Sequence, residues 1–306
     1  MPMAEFRYSL PIHYNYATKY AVLPQPELNL MQKILDRIGR EGLLGAKDFD
    51  SERVEKSSDW WDWRPSKVAL ERLHLSGQLL TTRKKDLHKL YDLATNIVPA
   101  HTDKTKPSMP EFSRHIILRT LKSLGIAYAK EMAWNARLVK HTIKEELKGM
   151  VDSGLVCEVT VEGVKGPLYM SPGYRNKKIR LAGDAFVLSP FDPLNVFRHR
   201  LRDFFDFNYQ VECFVPAAKR KYDYFWLPLL VGDVFPGRMD ATADRKNKVL
   251  TIHNIHFEAV KTTDSTLSQL AGAIRSLATF NGCHTIVITK SNNKQPLKMT
   301  RERLSE

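Results

Sequence analysis

Residues 65–93 read PSKVALERLHLSGQLLTTRKKDLHKLYDL, and residues 138–170 read LVKHTIKEELKGMVDSGLVCEVTVEGVKGPLYM. In the first stretch Pro65 suits an opening helical turn, because a residue there has no intrahelical partner for its N–H anyway. Val68, Leu70 and Leu73 then carry an apolar stripe to Gly77, a stop signal. The following run, 78–93, predicts a two-stranded hairpin with Arg83, Lys84, Lys85 and Asp86 at its tip. The second stretch repeats this grammar: an amphipathic helix, a stop at Gly154, an alternating strand, a turn at Gly163–Gly166 and a second strand. LHLSGQLL and MVDSGLVC fall in matching places.

Outward from these stretches the similarity continues. Leu28, Met31, Ile34, Leu35 and Ile38 follow helical spacing up to Gly42, and a short helix is expected over 46–54. In the second copy, 111–125 (EFSRHIILRTLKSLG) and 126–135 (IAYAKEMAWN) are each expected to be helical. Three helices followed by a hairpin describe a winged helix. Two in tandem specify it more sharply than one; the alternative is a pair of helical bundles with appended hairpins.

After residue 183 the periodicity changes. VECFVP (211–216), DYFWLPLLVGDVFPGRMDATAD (223–244), KVLTIHNIHFE (248–258) and HTIVIT (284–289) read as strands. DRKNK (244–248) marks a hairpin tip, and 265–280 reads as one amphipathic helix packed on the sheet through Leu267, Leu270, Ile274 and Leu277. The expected class is α+β: tandem winged-helix domains followed by a mainly antiparallel, β-rich C-terminal domain. Its parts are a connector (1–26), winged helices at 27–99 and 110–182, the β-rich domain (183–290) and a polar tail (291–306) expected to fray.

The chain has 306 residues, with 47 Lys and Arg against 34 Asp and Glu, a formal charge of +13. The segment 101–182 is the most basic for its length, with 15 basic against 8 acidic residues. Such an excess points to a polyanionic partner, double-stranded DNA above all. With 43% hydrophobic residues, wholesale disorder is excluded. Cys157, Cys213 and Cys283 are odd in number and far apart, so a disulfide framework and a zinc knuckle are excluded. Cys213 is expected to be a buried, inert thiol in a strand. The longest apolar run, 225–232, is far short of the ~20 residues that span a bilayer, and residues 1–20 have no apolar signal core. A cytoplasmic monomer without membrane contact, metal or cofactor is expected.

No Walker loop, GxGxxG, GxSxG or HExxH occurs. His253 and His256 would need broken alternation to face one metal. Trp60, Trp61 and Trp63, in SDWWDWRPSK, suit packing between small domains better than stacking on bases. Cations recur where a winged helix meets phosphates: Arg83, Lys84 and Lys85 on the first wing, and Lys140, Lys144 and Lys148 on the second helix-turn-helix unit. Lys219, Arg220 and Lys221 lie in KRKY, and Arg245, Lys246 and Lys248 at the hairpin tip. Each group alone could be a solvated face; together they suggest a surface for the DNA backbone.

Residues 186–250 carry LSPFDPL, FNYQVECFVPAAKRKY, LPLLVGDVFPGRMD and ADRKNKVL. These motifs, with WWDWRPSKVALERLHLSGQLLTTRKK, resemble the YcaQ-like winged-helix DNA glycosylases, the AlkX/AlkZ family, over residues 10–290. The resemblance implies tandem winged helices in a C-shaped scaffold. It also implies monofunctional, cofactor-free N-glycosylase excision of bulky N7-alkylpurines and unhooking of interstrand crosslinks. In that family a Gln-x-Gln or Gln-x-Asp motif in a first winged helix carries catalysis, and the chain is expected to begin downstream of it. The nearest match, Gln25-Pro26-Glu27, is expected in a proline-bounded turn and is not assigned catalysis. Asp192, Asp240 and Asp244 read as structural, the first through an Asx-type bond and the others through Arg238 or Arg245. Phe197 and Asp223 depart from the family pattern. A diverged DNA binder that does not cleave, and a winged-helix regulator or interaction module, remain alternatives.

Overall fold

The computed structural model of the protein describes residues 2–49, 65–85, 88–134, 137–178, 183–221, 225–260 and 262–305. Contacts divide the chain into two compact units. The first is Met1–Thr120 with Met132–Ser153, and the second Leu121–Glu131 with Gly154–Glu306. Helices and mainly antiparallel sheets mix, the α+β class expected from the sequence.

The first unit begins with a 3-10 helix (Met3–Ser9), α1 (Leu10–Tyr20) and α2 (Gln25–Glu41). Gln25, Pro26 and Glu27 therefore open a helix rather than occupying a turn. Met31, Ile34 and Ile38 of α2 are buried at helical spacing, each such side chain stabilising by about 1.5–3 kcal/mol relative to exposure. Strand β1 (Leu44–Gly45) precedes a 3-10 helix (Ala46–Phe49), which stands at the start of the expected short helix. The remainder of that helix and Trp60, Trp61 and Trp63 lie outside the described residues. Helix α3 (Pro65–Leu75) ends as the sequence predicts. Gly77 takes φ +77°, and Gln78 N–H donates to the Leu73 carbonyl at 3.0 Å, a Schellman-type lock. Strands β2 (Leu79–Lys85) and β3 (His88–Leu93) form the expected hairpin, and β1 joins it in the antiparallel order β1-β3-β2. Under the sheet, Met31, Ile34 and Ile38 pack with Phe49, Leu70, Leu73, Leu79 and Tyr91.

A short α4 (Ala94–Ile97) precedes α5 (Met109–Leu124), along which the chain passes into the second unit. The described part of the expected helix, 126–134, is not one helix: β4 (Ile126–Ala127) is followed by the brief α6 (Ala129–Met132). The Tyr128 N–H donates to Glu131 Oε2 at 2.8 Å, turning the chain instead of continuing a strand or a longer helix. Helix α7 (Lys140–Asp152), back in the first unit, buries Ile143, Leu147 and Met150.

In the second unit β5 (Cys157–Val159) and β6 (Leu168–Met170) form the short antiparallel pair read from sequence, completed by β4. Then come β7 (Ala185–Val187), α8 (Pro193–Val196), α9 (Arg198–Phe205), β8 (Trp226–Val231), β9 (Val234–Asp244) and β10 (Val249–Phe257). Helix α10 (Asp264–Phe280), β11 (Thr285–Ser291) and α11 (Lys294–Ser305) complete it. The five-stranded sheet has the order β11-β10-β9-β8-β7, antiparallel except for β10 and β11. That parallel pair needs a crossover, which α10 supplies. Leu267, Leu270 and Ile274 of α10 bury against Leu229, Met239, Leu250, Ile252, Ile255 and Phe257 of the sheet.

Two expectations change here. VECFVP is a loop, not a strand, because the buried Glu212 turns its carboxylate back to accept the Lys221 N–H at 3.0 Å. Cys213 is consequently half-buried in that loop rather than sealed in a sheet. The described part of the expected tail, 291–305, does not fray: α11 buries Thr300, packs Leu297, Met299 and Leu304 on the sheet core and pairs Arg303 with Asp264. No described helix is long and apolar enough to cross a membrane.

Candidate nucleic-acid interface

In the first unit, Lys140, Lys144 and Lys148 are exposed one turn apart on α7, along one flank of its buried stripe. Arg83, Lys84 and Lys85 occupy the end of β2, where Lys84 stands across from Lys89 and Lys85 from His88. Side-chain positions at residues 83–85 are outside the described set.

The second unit builds its basic tip with care. Asp244 accepts from the Asn247 backbone N–H at 2.9 Å and from its side-chain amide at 2.7 Å. Those bonds hold the Asp244 carboxyl below the usual range. Lys248 closes the turn at φ +58°. Arg245, Lys246 and Lys248 emerge exposed on one tip, which is braced from behind. Arg245 donates to the Asn281 side chain at 2.9 Å, and the Lys248 carbonyl accepts from His284 N–H at 2.9 Å. Asp244 thus serves the turn rather than an ion pair with Arg245. Arg238, buried, pairs with Glu258 at 2.6 Å and donates to the Asn208 carbonyl at 2.9 Å.

A second basic group sits on the loop before β8. Lys219 and Lys221 are exposed there, and Arg220 Nε donates to the Val215 carbonyl at 2.8 Å. Lys221 also lines a cleft of about 800 Å³ with Asn254, His256, Glu258, Lys290 and Asn292. A bulge between Ile252 and Asn254 sets this arrangement, shifting the inward residues of β10 from Leu250 and Ile252 to Ile255 and Phe257. Among the described residues no group of three His, Cys, Asp or Glu could hold a metal ion.

The candidate carboxylates are occupied. Asp192 accepts from the Leu194 N–H at 2.9 Å, the expected Asx-type bond capping α8. Glu27 pairs with Arg72, and Gln25 donates to Asn29 at 2.9 Å. A second Gln-x-Glu run, Gln210-Val211-Glu212, escapes the sequence reading, and its carboxylate is the one that closes the loop.

Sequence reasoning also missed a buried ionic cluster. Glu131, 4% exposed, lies 2.9 Å from Arg200 Nη1 and 2.8 Å from His199 Nε2. The same Arg200 nitrogen donates to the Ile126 carbonyl at 2.8 Å. Tyr128 OH donates to Asp203 at 3.1 Å, and burial together with that carboxylate pushes the phenol up to about 12. Burial holds His199 below its ordinary value, against the pull of Glu131. Arg200 and Leu201 face inward on α9, which the charged run RHRLRDFF does not disclose. The partners at 126–131 could not be inferred from it.

Two comparisons bear on this arrangement. In fold, the chain is similar to the DNA glycosylase AlkZ of Streptomyces sahachiroi, with a TM-score of 0.53 at 13% identity, covering 94% of this chain and 77% of that one. The family model described as DNA glycosylase AlkZ-like matches residues 1–280. With a match over most of its length, and the motif-bearing segment inside it, the chain belongs to the AlkZ-like DNA glycosylase family.

Proposed function

We propose that this protein binds duplex DNA carrying bulky N7-alkylpurines or crosslinks, acting as a monomer of the repair type its family implies. Residues 27–99 and 110–182 serve as tandem winged helices, and 183–290 as the β-rich domain. The observation that carries the reading is the braced hairpin tip, which presents Arg245, Lys246 and Lys248 to solvent on a rigid support. Cations held this way suit phosphates, which fix position without reading sequence. The exposed row on α7 and the loop cations at 219–221 extend the same chemistry. Arg83, Lys84 and Lys85 are assigned to it as wing residues.

Hydrolysis of the glycosidic bond needs a group that holds water on the sugar face opposite the leaving base. Asp192, Asp244 and Glu27 are already engaged in caps, turns and ion pairs, which supports binding without cleavage by these groups. The test is release of free alkylbase from a methylated duplex, with an active glycosylase as positive control. We expect the duplex to be bound while base release stays at the spontaneous rate. A clear acceleration would reject the binding-only reading and make Asp192→Asn the first variant to examine.

A further inference from the structure

The loop over residues 208–221 is built more firmly than a connector requires. Its roots are pinned where Tyr209 OH donates to the Trp226 carbonyl at 2.7 Å, inside an aromatic cluster of Phe207, Tyr209, Trp226 and Phe235. Within it, Val215 N–H donates to the Glu212 carbonyl at 2.9 Å and Lys221 N–H to the Glu212 carboxylate at 3.0 Å. Arg220 Nε returns to the Val215 carbonyl at 2.8 Å. The side chain this closed loop holds outward is Phe214, 83% exposed.

A lone exposed apolar residue needs no explanation. Val22 and Phe280 are each 85% exposed, but both stand at helix ends with no closed loop behind them. Phe214 differs in being preorganised, and in sharing its loop with three consecutive cations, Lys219, Arg220 and Lys221. An exposed aromatic ring and cations carried on one hydrogen-bonded loop match the chemistry of a stacked, polyanionic partner. Apolar wedges that enter a base step unstack it, while neighbouring cations hold the flanking phosphates. A protein partner would not require the cations.

We propose that Phe214 is an intercalating wedge, its ring entering the base stack of duplex DNA while Lys219 and Lys221 hold the adjoining phosphates. This rests on the duplex-binding reading above and adds to it a stated contact with the bases.

The test uses the full chain and a duplex carrying 2-aminopurine next to N7-methylguanine, whose emission rises when its stack is opened. At saturating wild-type protein we expect emission to rise several-fold. Phe214→Ala should remove that rise at saturation while duplex affinity falls about tenfold, the scale of one lost stacking contact. Phe214→Trp should keep the rise. Thermal melting of each variant should match the wild type, since the ring is exposed. Full emission from Phe214→Ala, or none from the bound wild type, would overturn the wedge and leave duplex binding standing. Failure of the wild type to bind duplex at low salt would overturn both.

Discussion

Replacing Glu131 by alanine should cost the fold about 3–5 kcal/mol, the range seen when one partner of a buried ion pair is removed. The reason is what stays behind. Arg200, 4% exposed, would keep its charge without the carboxylate 2.9 Å away, and the Tyr128 N–H would lose its acceptor. Chemical denaturation reads the loss directly, and the melting point should fall by roughly 10 °C for a chain of this size. Glu131→Gln, which retains one acceptor oxygen, should lose less than Glu131→Ala. A loss below about 1 kcal/mol would place the pair in the class of exposed ion pairs and contradict the structure. The same cluster contributes to an acid limit, as do His13, His115 and His256, which burial also holds low. Because burial holds His199 below about 6.5 in the fold, the unfolded chain takes up its proton first as pH falls. Stability should therefore decline below about pH 6.5, levelling once the folded imidazole is also charged.

Two glycine substitutions in the same unit should act with opposite signs. Gly237 lies in the middle of β9, paired with Leu229 on one side and Phe257 on the other. A Cβ there would come 2.3 Å from the His256 carbonyl oxygen and 3.3 Å from the Phe257 Cα. Both obstacles are backbone, so no rotamer change relieves them. Gly237→Ala should destabilise by about 3 kcal/mol or more, the upper end of overpacking costs. Gly272, in α10, has nothing within 4 Å of its would-be Cβ. Gly272→Ala should stabilise by about 0.5–1 kcal/mol through reduced unfolded-state freedom and better helix propensity. Equal effects at the two positions would mean that β9 and β10 do not approach as described.

Local physics explains which elements could be read in advance. The α2 stripe, the Gly77 stop and the β2–β3 hairpin depend on neighbours in sequence, and each stands where the pattern put it. The loop at 211–216 was misread because its β-branched and aromatic residues mimic a strand, while the decisive bond joins Glu212 to Lys221 nine residues later. Helix α9 was hidden by its charge: RHRLRDFF looks solvated until Arg200 finds Glu131, 69 residues away. The α11 helix was hidden in the same way, its polar composition masking the contacts of Leu297, Met299 and Leu304 with a distant core. The basic groups were legible as composition. Their bracing at Asn281 and His284, which turns charge into a surface of fixed shape, was not.

Binding of an undamaged duplex across a salt series tests the central claim most directly. If the hairpin tip and the 219–221 loop of the second unit neutralise about 6 phosphates, log K should fall against log salt with a slope of roughly −5. Joint Lys246→Glu and Lys248→Glu reversal should weaken binding and flatten the slope, whereas Lys298→Glu on α11 should change little. Affinity independent of salt, or no affinity at low salt, would contradict the account.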